Sequence, residues 1–147
     1  MTNFNDILNK QASEIEAPKL KPVGLYRARV EKHDPKEVEV KNGPKAGTKM
    51  HLVDVLFKLV EPLDVPDGVE GIDIAQGVVK KTFFLDDGGD FYFREFMEKH
   101  CGIASSGVTL GEMLSELNGK ECAVVVEHTK PDATGRQYAQ VGNTKAL

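Results

Sequence analysis

The sequence predicts a small, mostly-β (α+β) domain: an antiparallel barrel with an N-terminal helix and two helices before the last hairpin. Three observations carry that prediction. Apolar and polar residues alternate along 24–31, 38–41 and 51–60, the period of two that a half-buried strand imposes. Gly, Pro and Asn gather between these runs as they do in hairpin turns. Helical patterning is confined to short stretches and never alternates with strands in the β-α-β manner of a doubly wound sheet.

At 147 residues the chain is the length of one domain with one core, and a hydrophobic share of 40% rules out disorder for most of it. No stretch approaches the ~18 consecutive apolar residues of a membrane helix, and Met1 to Asp6 lacks the regions of a signal peptide. A soluble, cytoplasmic protein that does not enter a membrane is expected. Cys101 and Cys122 have neither Cys-x-x-Cys spacing nor a nearby His pair, so both read as small buried apolar residues. The net charge of −4 conceals a gradient. Residues 1–49 hold ten Lys/Arg against seven Asp/Glu, whereas residues 50–98 hold four against eleven. Nucleic-acid binding would therefore need a localised basic face rather than the field of the whole molecule.

Phe4, Leu8, Ala12 and Ile15 fall on one helical face, which predicts an amphipathic helix over 4–15. Pro18 and Pro22 then interrupt it, so residues 1–22 form a helix and connector and residues 23–147 form the main domain. Tyr26, Ala28 and Val30 alternate with Arg27, Arg29 and Glu31 in a first strand. Val38 and Val40 mark a second, followed by a Gly- and Pro-rich turn over 42–47. Residues 51–60 place Val53, Val55, Phe57 and Leu59 on one parity, with Asp54 and Lys58 on the other. Residues 61–76, with five acids and no base, read as a solvated loop that is mobile or contacts a partner. Val78 to Leu85 resumes strand character, and Asp86 to Asp90 turns it into a helix over 91–101 capped by Asp90. Thr109 and Glu112 form a T-x-x-E capping box for a helix over 109–118. Glu121 to His128 and Gln137 to Val141 are the closing strands. The parities predict a core that includes Tyr26, Val30, Val55, Phe57, Val124 and Val126.

No catalytic motif is visible. Asp86 to Asp90 fails the frame of a calcium loop, and His33, His51, His100 and His128 have no i, i+4 pair. No metal, cofactor or enzymatic activity is expected. What remains is a mixture of basic and aromatic side chains: Arg27 and Arg29 on the first strand, Lys41, Lys45 and Lys49 about the first turn, and Lys130, Arg136 and Tyr138 about the last hairpin. Lys80 and Lys81 share a strand with Phe83 and Phe84, and alternation admits one of each pair to a given face. Lys81 with Phe83 is the expected choice. Cations that track phosphates beside rings that stack bases suit single-stranded nucleic acid. The same alternation also fits the solvated side of an ordinary antiparallel sheet.

Lys21-Pro22-Val23-Gly24-Leu25-Tyr26-Arg27-Ala28-Arg29-Val30 resembles the opening of phage-encoded single-stranded-DNA-binding-like proteins. Gly43 to Val60 looks like their turn and long apolar strand. Leu117-Asn118-Gly119-Lys120-Glu121 with the apolar run to Val126, then Gly135-Arg136-Gln137-Tyr138, resembles their closing hairpin. The resemblance spans roughly residues 20–142. It implies an oligonucleotide-binding (OB) barrel that binds single-stranded DNA in replication or recombination, in the host-cell cytoplasm. Such binders often end in an acidic tail that recruits partners; this chain ends Gly142 to Leu147 without one. Residues 4–15 or the acidic loop 61–76 are then the candidate surfaces for a homo-oligomer or a replication partner. The alternative is a protein-interaction or virion-accessory module on the same barrel, without nucleic-acid binding.

Overall fold

The computed structural model describes residues 4–9, 11–12, 20–66 and 77–147. Helix α1 (Phe4–Leu8) is followed by strands β1 (Gly24–Glu39), β2 (Lys49–Asp64) and β3 (Val79–Phe84). Helix α2 (Gly89–Glu95) runs into a π-helical turn (Phe96–His100), and helix α3 (Leu110–Leu114) precedes β4 (Glu121–His128) and β5 (Ala139–Lys145). All pairings are antiparallel, in the order β3-β2-β1-β4-β5. This is a barrel-like arrangement in which the sheet is not closed. β3 and β5 face each other there, joined by a hydrogen bond from Lys81 Nζ to the Gly142 carbonyl at 3.1 Å.

The core follows the parities. Tyr26, Val30, Val55, Phe57, Val124 and Val126 are all buried. Phe83 packs against Phe96 with ring centres 4.8 Å apart and against Phe93 at 5.0 Å, while Phe57 meets Phe96 edge-on at 5.9 Å. Each such aromatic pair adds about 1 kcal/mol beyond the area it buries. These rings tie the helical segment to the sheet. Widening the helix to a π turn keeps Phe93, Phe96, Met97 and Cys101 all on the buried side, and the Cys101 N–H donates to the Phe96 carbonyl at 3.0 Å.

Several expectations need correction. The runs at 24–31 and 38–41 are one strand that passes through Pro35. That is permitted because β4 pairs with β1 only as far as Arg29 and the last bonds on that side are those of Val30 with Gly119 and Lys120, so at Pro35 β1 is an edge, where proline is tolerated. The first helix spans Phe4–Leu8 rather than 4–15, and none of its residues is buried; residues 13–19 lie outside the described part. Residues 61–64 belong to β2, and 67–76 of the acidic loop also lie outside. The last strand reaches Lys145, and the connector is anchored: Tyr26 Oη donates to the Pro22 carbonyl at 2.7 Å, and His128 Nε2 to that of Lys21 at 2.8 Å. The cap of α2 is Gly88 at φ 84°, with Asp90 inside the first turn. Thr109 does cap α3, accepting from the Glu112 N–H at 3.2 Å. Among the described residues no helix is long and apolar enough to cross a membrane.

Gly89 is required by a close approach. A Cβ there would run into the carbonyl oxygen of Phe84, because α2 begins directly against the end of β3. Gly89→Ala is expected to destabilise the fold by about 1–3 kcal/mol, as overpacking does, measured by denaturant unfolding. Cys122 is fully buried, and the Cys101 side chain and burial push its thiol pKa far up. It should resist a thiol reagent until the protein is unfolded; labelling of Cys122 at the native rate of a free thiol would contradict the packing described.

Candidate functional site

Strand register decides which charged residues share a face. Lys32 and Lys80 both pair with Leu56, so these three side chains form one row across β1, β2 and β3. The next row toward the start of β1 is Lys58 with Arg29, extended onto β4 by Glu121. In the other direction come Asp34, Asp54 and Thr82, then Lys36, Leu52 and Phe84. Val53, Val55 and Phe57 point into the core, so these rows form the outer face. Rows two residues apart are ~6.7 Å apart, which gives the face a length of about 20 Å.

Lys32 is on this face because of a bulge. Glu31 is an extra residue between the pairs Val30–Phe57 and Lys32–Leu56, and without it Lys32 would share the inward parity of Tyr26, Ala28 and Val30. Lys32, Lys58 and Lys80 form no salt bridge with any carboxylate among the described residues. Lys36 does: its ammonium is 2.9 Å from Asp54 and 3.5 Å from Asp34. Asp54 is only 6% exposed and also accepts from the Thr82 hydroxyl at 2.6 Å. Burial alone would raise its pKa, but the Thr82 and Lys36 hydrogen bonds and the nearby Lys80 charge outweigh it and hold the carboxyl below its usual range. The one acid sunk into the middle of the face is thus covered by partners.

The residues expected from sequence are not all brought together. Arg27 is on the outer face but is held by Glu121 at 2.9 Å and Glu61 at 3.5 Å, whose hydrogen bonds and charge raise its pKa further. Arg29 is 3.8 Å from Glu31. Lys45 pairs with Asp87 at 2.8 Å and Lys49 with Glu37 at 3.5 Å. Lys41 and Lys45 lie in loop 40–48 beyond one end of β1, while Lys130, Arg136 and Tyr138 lie in loop 129–138 beyond the other. The outer face of β1–β3 runs between these loops.

The choice of Lys81 with Phe83 is overturned. Phe83 is 8% exposed and stacked in the aromatic core, so baring its ring would forfeit about 2–3 kcal/mol of apolar burial. Phe84 is the exposed ring, and the residue of its parity is Lys80. Lys81 has the inward parity and reaches past the sheet edge to the open seam. Lys32, Lys36 and Lys58 were not among the expected site residues; Lys58 is legible from the alternation of 51–60, whereas Lys32 is hidden by the bulge.

Among the described residues no three His, Cys, Asp or Glu side chains converge as metal ligands would. No protein-family model and no curated protein matches the chain.

Replacing Asp54 by Asn should remove a charge-assisted pair and destabilise the fold by about 2 kcal/mol at pH 7. Because the folded carboxyl has the lower pKa, its contribution is present above the unfolded value of about 3.9 and fades as pH falls through the folded one. Chemical unfolding at stepped pH should show wild type and D54N converging in strong acid; a constant difference would contradict the ion pair.

Proposed function

We propose that the chain binds single-stranded DNA without sequence preference, along the outer face of β1–β3. The observation that carries this reading is the trio Lys32, Lys58 and Lys80, three cations that form no salt bridge among the described residues, on adjacent register positions of an OB-like sheet. In OB barrels the face of strands 2 and 3, flanked by the loops between strands 1 and 2 and between strands 4 and 5, is where oligonucleotides bind. Here Lys41 stands in the first of those loops and Lys130, Arg136 and Tyr138 in the second. Exposed Phe84 at the far row supplies a stacking ring beside the cations. The resemblance of residues 20–142 to phage single-strand binders points the same way, toward replication or recombination. A face of aliphatic stems and ammonium groups tracks phosphates and does not read base edges, so binding is expected to be tolerant of sequence and strongly weakened by salt.

The test is a fluorescence-anisotropy titration of labelled oligo-dT and of duplex DNA at several salt concentrations. Wild type should prefer the single strand. Lys32→Ala/Lys58→Ala/Lys80→Ala should bind more weakly, with a log–log salt slope shallower by about 2, since each phosphate contact contributes ~0.7. Lys45→Ala, which removes an ammonium already paired with Asp87, should change the slope little. Absence of wild-type binding at low salt would overturn the reading in favour of a protein-interaction module.

A further inference from the structure

Phe84 belongs to two surfaces. On the outer face it ends the row of Lys36 and Leu52, and it also walls a groove of about 590 Å3 between β3, α2 and β5. The groove is bounded further by Phe91, Tyr92, Lys81, His100 and Glu95, whose carboxylate is held by Lys99 at 2.9 Å. Phe84, Phe91 and Tyr92 are 49%, 50% and 70% exposed, a concentration of bare rings that sheet or helix packing does not require. Phe91 and Tyr92 meet edge-on at 5.4 Å, and the Arg94 guanidinium lies 5.2 Å from the centre of the Phe91 ring.

Lys81 distinguishes this groove from an ordinary apolar cleft. Its half-buried ammonium donates to the Gly142 carbonyl and lies 5.3 Å from the centre of the Phe83 ring. It forms no salt bridge among the described residues; Glu127 is the acid whose charge it feels, from beyond ion-pairing distance. An ammonium has three donors, so donors remain for an anion. Burial pushes this group below the ordinary lysine range, a cost that a bound anion would offset. His100 does not supply a competing cation, because burial also lowers its pKa and its Nδ1 is engaged with Thr144 Oγ1 at 2.8 Å.

We propose that the groove seats an unstacked base of the bound strand against Phe84 and Tyr92, with a phosphate of the same nucleotide on the Lys81 ammonium. The inference rests on the single-stranded-DNA reading and extends it to a defined subsite. Two features favour a nucleotide over a peptide side chain or a second copy of the chain. Flat exposed rings around a half-buried cation that forms no salt bridge among the described residues suit a ligand that carries a planar ring and an anion together. Phe84 also makes the groove continuous with the cationic face, so a strand lying along Lys58, Lys32 and Lys80 arrives there.

The experiment compares labelled oligo-dT with an abasic oligonucleotide of the same length, by anisotropy at fixed and varied salt. Wild type should prefer oligo-dT. Phe84→Ala/Tyr92→Ala should lose affinity for oligo-dT by roughly 5- to 150-fold per lost stacking contact, keep its salt slope, and bind the abasic strand as wild type does. Phe84→Tyr/Tyr92→Phe, which keeps both rings, should retain wild-type affinity and guards against a folding artefact. Lys81→Met should flatten the slope by about 0.7. If the double alanine variant binds oligo-dT as wild type does, or loses affinity equally for the abasic strand, the subsite is overturned while binding along the outer face stands. If wild type binds neither oligonucleotide, both proposals fall.

Discussion

The placement of β1 at the centre of the sheet, and the one-residue bulge within it, is the constraint on which the rest of the structure depends. Its first half is bonded on both sides, to β2 and β4, and must bury Tyr26, Ala28 and Val30. Its second half is bonded only to β2 and is exposed, so it tolerates Pro35 and a run of charges that also discourages pairing with another chain. Glu31 separates the two halves and reverses the parity between them. One inserted residue thereby keeps the apolar triplet inside and puts Lys32 outside, in register with Leu56 and Lys80.

The aromatic cluster has a comparable effect at the open side. Phe83 cannot leave the stack with Phe93 and Phe96, which fixes the parity of β3 and leaves Phe84 and Lys80 outside. The same stack brings α2 against the end of β3, so tightly that Gly89 has no room for a side chain. As a consequence Phe91 and Tyr92, at the start of α2, stand beside Phe84, and Lys81 is left to bridge to β5. Core packing thus determines the composition of the groove, although none of its three exposed rings belongs to the core.

Much of this was legible in the sequence where one physical rule acts alone. Alternation identified the inward residues of β1, β2 and β4, and the Thr109 cap and short helices before the closing strands follow from local chemistry. The rest fails where tertiary structure overrides a local rule. The runs at 24–31 and 38–41 read as two strands until β1 is known to pass through Pro35 as an edge. Phe83 and Phe84 are equivalent in an alternating strand until the helix that covers one of them is placed. Lys32 reads as inward until the bulge is seen. Arg27 and Lys45 read as available cations, but cross-strand neighbours or a turn residue more than forty positions away engage them. The basic residues nearest the resemblance were therefore the least free, and the unpaired lysines sat on strands whose register one sequence does not reveal.

The separation between paired and unpaired cations bears on the proposed activity. In a chain of net charge −4, long-range attraction of phosphate is weak, and binding has to come from contacts within a Debye length, about 8–10 Å at physiological salt. Lys32, Lys58 and Lys80 lie within about that distance of one another, and the nearest acid sunk into their face, Asp54, is already paired with Lys36 and hydrogen-bonded by Thr82. Under the proposed activity, affinity from such a face would rise and fall with counterion release, whereas stacking in the Phe84–Tyr92 groove would not depend on salt. A binder that combines the two holds a strand when ionic strength rises, because the contribution that salt erodes and the contribution that it leaves intact reside on different residues.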